Sequence, residues 1–282
     1  MAATIAQFEA LALTALTSGD PVERPKAEAE ISRIFNSIGV SDQLNLIHDV
    51  LKQSQSEYSI FVAAQQLNRI LAASPPSVDS AVQTCKVLVD LLDERGSVMP
   101  DMAVRVIIHS FCGFVKQYWF ESFYFRDCFT SLHRLSEDKE PARILLGLRI
   151  MTAFVGEFST RRRLPLVRNR KVIVSFRDTS LLSILKSGIS ILKNLSQGNL
   201  AGAAPDVRFK LTEGALALVS ESLFFDFSGI STGTTDDAVP IEVPASWQKV
   251  ICPPDMPTAT GVAGSPTDSK GMEGVWREGV LW

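Results

Sequence analysis

Apolar residues recur through the first 227 positions of this chain in steps of three and four, separated by polar residues and short breaks. That step puts them on one face of an α-helix. Ile5, Phe8, Leu11, Ala12, Ala15 and Leu16 form the first stripe, and Ser18-Gly19-Asp20-Pro21 ends it. A second helix begins near Arg24 with Pro25 in its first turn, where a missing N–H costs little. It carries Ala27, Ile31, Ile34, Phe35 and Ile38, with Gly39 placed to end it. A third follows Ser41 and Asp42 with Leu44, Ile47, Val50 and Leu51. A fourth, after the polar turn at Ser54–Tyr58, carries Phe61, Ala64, Leu67, Ile70 and Leu71. Pro75-Pro76 closes it, because neither proline can donate a backbone hydrogen bond.

The rhythm continues. Ser77–Leu92 is read with Val78, Val82, Val89 and Leu92 inward, and Met99–Tyr118 with Met102, Val106, Ile107, Phe111, Phe114 and Val115. Phe120–Leu135 and Ala142–Phe158 follow, and Asn169–Asn194 and Asp206–Phe227 make the ninth and tenth helices. Within Asn169–Asn194, Arg177-Asp178-Thr179-Ser180 interrupts the apolar pattern. Leu181, Leu185, Ile189 and Leu192 then share a face, and Thr179 or Ser180 is available as an N-cap.

Helix pairs at roughly 40-residue intervals match the period of HEAT or armadillo-like repeats, whose units bury their apolar stripes only by stacking. The expected fold class is all-α, an α-α superhelix of about five helix pairs followed by an irregular C-terminal tail; an irregular compact helical bundle is the alternative. Residues 1–227 are read as the helical repeats. Residues 228–248 form an acidic loop and the start of a next repeat. Residues 249–282 form a disordered or non-native tail, where glycine, proline, serine and threonine replace any helical period. Ser159–Arg170 is read as a loop carrying Arg161, Arg162, Arg163, Arg168 and Arg170 without an acid, and Gln197–Pro205 as a small-residue linker.

Composition adds limits. In 282 residues, 46% are hydrophobic and 21% charged, enough for a sizeable core. A formal charge of -3 gives no overall basic footprint for nucleic acid. No apolar run approaches the roughly 20 residues that cross a bilayer, and the N-terminus lacks the basic segment of a signal peptide. Cys85, Cys112, Cys128 and Cys252 form no CxxC pair and are read as buried, reduced thiols of an intracellular protein. His48, His109 and His133 stand alone, so no metal or other cofactor is expected. The aromatic run Phe111–Phe129 is read as core between two repeats rather than a base-stacking platform, since only Lys116 and Arg126 interleave with it. The arginine loop is either a solvated connection or a contact for phosphate, nucleic acid or an acidic protein surface. No nucleophile–base–acid set or phosphate-cradling glycine loop can be assembled, and the chain is read as not an enzyme.

Three stretches carry a resemblance. Arg170-Lys171 through Ser175-Phe176-Arg177-Asp178-Thr179-Ser180-Leu181 to Ile191-Leu192-Lys193 is the first. The second runs Phe225-Asp226-Phe227-Ser228-Gly229-Ile230-Ser231-Thr232, then Asp236-Asp237, then Ile241-Glu242-Val243-Pro244-Ala245-Ser246-Trp247. The third is Asp20-Pro21-Val22-Glu23-Arg24 with Ala27-Glu28, from which Pro25 departs. Together they resemble the importin-β (karyopherin-β) family of transport receptors, over roughly residues 5–248, and most closely an export receptor. After Lys249 the likeness stops, where a family member is expected to continue for several hundred residues. The resemblance implies a HEAT-repeat exportin fragment that shuttles between nucleus and cytoplasm through the nuclear pore complex. Its implied partners are the GTPase Ran in its GTP state, cargo proteins and nuclear pore proteins, with no direct nucleic acid and no membrane insertion. It implies Ran-facing positions on the second and fourth helices, for which Glu30, Arg33, Gln66 and Arg69 are the candidates opposite the apolar stripes. The alternative function is a helical-repeat protein–protein scaffold, truncated and without Ran-dependent transport.

Overall fold

A computed structural model describes residues 2–160, 164–198 and 203–227, together with Trp247 and Val250. The chain divides into two compact units, Met1–Val243 and Pro244–Trp282. In the second, the described residues are Trp247 and Val250, both helical. The described residues of the first unit are helical throughout, with no strand among them: α1 Ala2–Thr17, α2 Glu23–Asn36, α3 Val40–Gln53, α4 Glu57–Ala73, α5 Val78–Arg95, α6 Asp101–Gln117, α7 Tyr124–His133, α8 Pro141–Ser159, α9 Leu166–Phe176, α10 Leu182–Ser196 and α11 Pro205–Leu223. A 3-10 turn, Arg134–Glu137, extends α7, and a π-helical turn, Arg177–Leu181, joins α9 to α10.

Local chemistry sets these boundaries. Ser56 and Ser77 cap α4 and α5, each side chain accepting from the backbone N–H three residues on, Ser59 and Ser80. Pro141 and Pro205 occupy the first turns of α8 and α11, where the absent N–H is unneeded. Gly39 does not end α2, which stops at Asn36. It is the extended residue that opens α3.

Sequential helices pair as hairpins, α1 with α2, α3 with α4, α5 with α6, α7 with α8 and α10 with α11. The pairs stack in two rows. One runs α3, α5, α7; the other runs α4, α6, α8, α11. This is the all-α repeat solenoid that the apolar period predicts. The stripe of α3 is as read, with Leu44, Ile47, Val50 and Leu51 all buried. The stripe of α5 is rotated from the reading. Val78, Val82 and Val89 are only half-buried, while Ala81, Cys85, Leu88, Leu91 and Leu92 form the core face. Thr84 on the same face hydrogen-bonds to His48 on α3 at 3.0 Å. Met102 is likewise exposed rather than inward.

The middle of the stack is aromatic. Phe158 and Phe176 stack with centroids 4.2 Å apart, Trp119 meets Phe158 edge-on at 5.1 Å, and Phe129 meets Phe154 at 4.7 Å. Phe111, Phe114, Tyr118, Trp119, Phe125 and Phe129 are buried, as expected for core between repeats, whereas Phe120 and Phe123 are exposed. Lys116 is fully buried within this region. Its ammonium donates to the carbonyls of Glu157 and Thr160 at 2.6 and 2.5 Å, satisfying the C-terminal end of α8. At Gly147 the 3-10 turn lies so close that an added Cβ would sit 2.7 Å from the Ser136 nitrogen.

Two readings of chain connectivity change. Arg177-Asp178-Thr179-Ser180 is not a break with a cap. Thr179 donates to the Ser175 carbonyl at 2.8 Å, and the chain stays helical from Leu166 to Ser196. The segment read as a loop to Arg170 already becomes α9 at Leu166, so Arg168 and Arg170 are helical residues.

Candidate functional site

The four positions on the second and fourth helices separate into two sets. Glu30 and Arg33 lie three residues apart on α2 and satisfy each other through two bonds of 2.8 and 2.6 Å. That contact holds the Glu30 carboxyl below the usual carboxylate range, the hydrogen bond from Arg33 being the larger cause, and raises Arg33 in return. Gln66 and Arg69 lie on α4, where Gln66 is buried and Arg69 exposed, with a long bond of 3.4 Å from Arg69 to the Gln66 side-chain oxygen.

Between α2 and α4 runs a groove of two cavities, about 480 Å³ and about 240 Å³, both touched by Ser32, Gln66 and Arg69. The larger reaches α1 at Ala15 and Leu16, and the smaller reaches Val40 and Gln43 on α3. Arg24 and Glu28 line the larger half and pair with each other at 3.2 Å. Glu30 and Arg33 line neither half. Two of the four candidates thus share one concavity, and the other two form a closed pair beside it. Ser32 and Gln43 were not singled out from the sequence. Gln43 donates to the carbonyls of Phe35 and Ile38 at 2.7 and 3.1 Å, fixing the α2–α3 turn that forms one wall.

The basic segment is not one free cluster. Arg161, Arg162 and Arg163 lie outside the described residues. Arg168 donates to the Gln117 carbonyl at 2.9 Å and pairs with Glu121 at 2.7 Å, tying α9 to the end of α6. Arg170 is exposed on α9. Among the histidines, His109 stands 3.9 Å from the buried Glu157 carboxylate, whereas His133 bonds Ser187 at 2.9 Å, so the two do not meet. Among the described residues no group of histidine, cysteine and carboxylate side chains could hold a metal ion. No described helix is long and apolar enough to cross a membrane. Cys85, Cys112 and Cys128 are buried, and Cys252 lies outside the described residues.

Two of the resemblance-bearing stretches meet in space. Phe225, after α11, packs on Phe176 with centroids 5.9 Å apart, and Phe227 packs on Phe225 at 5.8 Å. Arg177 donates to the Phe227 carbonyl at 2.8 Å. The segment after α11 is therefore clipped back onto the α9–α10 junction. The rest of the second stretch, residues 228–246, lies outside the described residues.

That pairing brings together two of the stretches on which the resemblance rests. The comparison with known proteins agrees. The chain is similar to exportin-7. Exportin-7-A of Xenopus laevis is 26% identical over 259 residues, 88% of this chain and 23% of that protein. Ran-binding protein 17 of Mus musculus is 24% identical over 259 residues, 89% of this chain and 23% of that protein. Ran-binding protein 17 of Homo sapiens is 23% identical over a stretch of the same length. The chain thus spans about a quarter of the length of the curated relatives it matches. No family model matches it. These exportin-type relatives bear the names of transport and Ran-binding proteins, and none of them bears an enzyme's name.

Proposed function

We propose that this chain is an N-terminal segment of an exportin-7-like nuclear export receptor. It engages Ran in its GTP state through the helices of its first repeats and takes part in carrying cargo proteins through the nuclear pore, shuttling between nucleus and cytoplasm. The observation that carries the reading is the alignment with exportin-7 over 88% of the chain, supported by the stacked helix pairs. In an export receptor, Ran-GTP and cargo strengthen each other's binding, a reciprocal coupling between two ligands. On this chain Gln66 and Arg69 are the favoured contacts, because they line the α2–α4 groove, with Glu30 and Arg33 at its margin. Among the described residues of the basic segment, Arg170 is the favoured contact for an acidic surface on a partner, because it is exposed while Arg168 is engaged by Glu121.

The test is capture of Ran, loaded with a non-hydrolysable GTP analogue or with GDP, by the immobilised chain. GTP-selective capture supports the proposal. Equal or absent capture at high protein concentration leaves a helical-repeat scaffold without Ran-dependent activity.

A further inference from the structure

We infer that the α2–α4 groove is a seat for a partner's carboxylate flanked by a large apolar side chain, with Arg69 as its counter-ion. The inference rests on the reading of this surface as partner-facing, and it names the chemistry of what is seated.

The charged residues lining the two halves of the groove are Arg24, Glu28 and Arg69. Arg24 and Glu28 neutralise one another at 3.2 Å. Arg33, just outside, is held by Glu30 in a two-bond fork. Arg69 differs from both arginines. Among the described residues no carboxylate pairs with it, and its one bond is the 3.4 Å contact with the neutral side chain of Gln66. It stands where the two cavities join. The groove therefore carries one uncompensated positive charge at its middle.

Apolar side chains predominate in the smaller half, with Phe35, Val40 and Ile70, while the larger half is mostly polar at its surface and adds Leu16, Ile31 and Val62. A guanidinium with spare donors favours a carboxylate, which it can bind through two parallel N–H···O bonds. Apolar walls reward a side chain that leaves water. Free phosphate or a nucleic-acid backbone would satisfy Arg69 but leave these walls wet. Ser32 adds a hydroxyl at the junction. An acidic residue next to Leu, Ile or Phe in a protein segment fits both demands.

The test is selection from a random peptide library displayed on phage against the immobilised chain, repeated with Arg69→Glu and Arg33→Glu. Recovered peptides are expected to carry Asp or Glu beside a large apolar residue. Arg69→Glu should weaken a synthetic copy of the leading peptide by about tenfold or more, as charge-assisted bonds are roughly twice as strong as neutral ones; Arg33→Glu should leave it within about twofold. Arg69→Gln keeps bulk and polarity and guards against misfolding; it should lose most of the same affinity. Failure to enrich peptides, enrichment without an acid, or equal binding to Arg69→Glu overturns the inference. Competition by the leading peptide separates the two proposals. Peptide binding with no capture of Ran-GTP by the chain sinks the Ran reading and leaves the groove's chemistry standing.

Discussion

Truncating Phe176 should cost more stability than any surface change in this chain. Its ring is fully buried and is shared by four others: Phe158 at 4.2 Å, Trp119 and Phe225 each at 5.9 Å, and Phe129 at 6.3 Å. Loss of burial accounts for about 2–3 kcal/mol. The remainder of the ~3–5 kcal/mol typical of Phe→Ala in a core comes from the hole left behind. That hole closes poorly, because the rings around Phe176 come from α7, α8, the turn after α6 and the segment after α11, and no single shift moves them all inward. Phe209 on α11 is 69% exposed, so Phe209→Ala should stay within about 0.5 kcal/mol. The assay is urea unfolding followed by far-UV circular dichroism, with both variants and the parent compared at fixed slope. Phe225→Ala alone and combined with Phe176→Ala completes a double-mutant cycle, for which direct ring contact predicts a coupling of about 0.5–1.5 kcal/mol. A loss at Phe176 no larger than that at Phe209, or a zero coupling, would refute this account of the core.

Two glycines of α8 should respond in opposite senses. Gly147→Ala forces a methyl against the Ser136 backbone at 2.7 Å and should destabilise by about 1–3 kcal/mol, whereas Gly156, with nothing within 4 Å, should gain about 0.5–1 kcal/mol on the same change; thermal melts of the two variants decide it. Burial, the leading cause, holds His48 and His133 below the usual histidine value of 6.5, with Lys52 adding to the effect at His48 against Asp49. The unfolded chain therefore binds more protons below pH 6.5, so stability is full above that value and is lost as pH falls from it through the folded-state values. The urea midpoint should drop between about pH 7.5 and about pH 5.5, and His48→Gln should shrink that drop; an unchanged slope would contradict it. Burial also pushes Cys85 up and Cys128 up to about 12, so both stay as thiols at neutral pH. A Cys252→Ser variant should resist an aromatic disulfide reagent when native and react fully in denaturant.

Helix pairing and stacking were legible because each helix must bury an apolar stripe and short turns leave only the preceding helix within reach. Leu44, Ile47, Val50 and Leu51 announce their face without help. The face of α5 misleads for a physical reason: Val78, Val82, Val89 and Leu92 keep a helical period of their own, while the buried face begins with the small residues Ala81, Thr84 and Cys85, which do not stand out as an apolar stripe. The bond from Thr84 to His48 spans helices, and no local spacing reveals it. Lys116 reads as a solvated charge in sequence, and only the carbonyls of Glu157 and Thr160, 41 and 44 residues away, make its burial tolerable. At the groove, helical period places Gln66 and Arg69 opposite the apolar stripe. Helical spacing also separates the two arginines, since Arg33 has Glu30 one turn before it while no acid lies between Glu57 and Asp79 around Arg69; the side-chain geometry adds that the Glu30–Arg33 pair forms.

The π turn at Arg177–Leu181 acts as a one-residue phase shift written into a continuous rod. An α-helix advances about 100° per residue, so a single surplus residue rotates everything beyond it by that angle. Val172, Ile173 and Phe176 before the turn, and Ile184, Leu185 and Ile191 after it, are thereby aimed at different neighbours. Deleting any one residue from 177 to 181 would make the backbone more regular and the protein worse. The local helix would heal, and the downstream stripe would swing away from α11. Tolerance to substitution at exposed Asp178 and Thr179 should therefore coexist with intolerance to any change in their number, a signature in which spacing, not identity, carries the constraint.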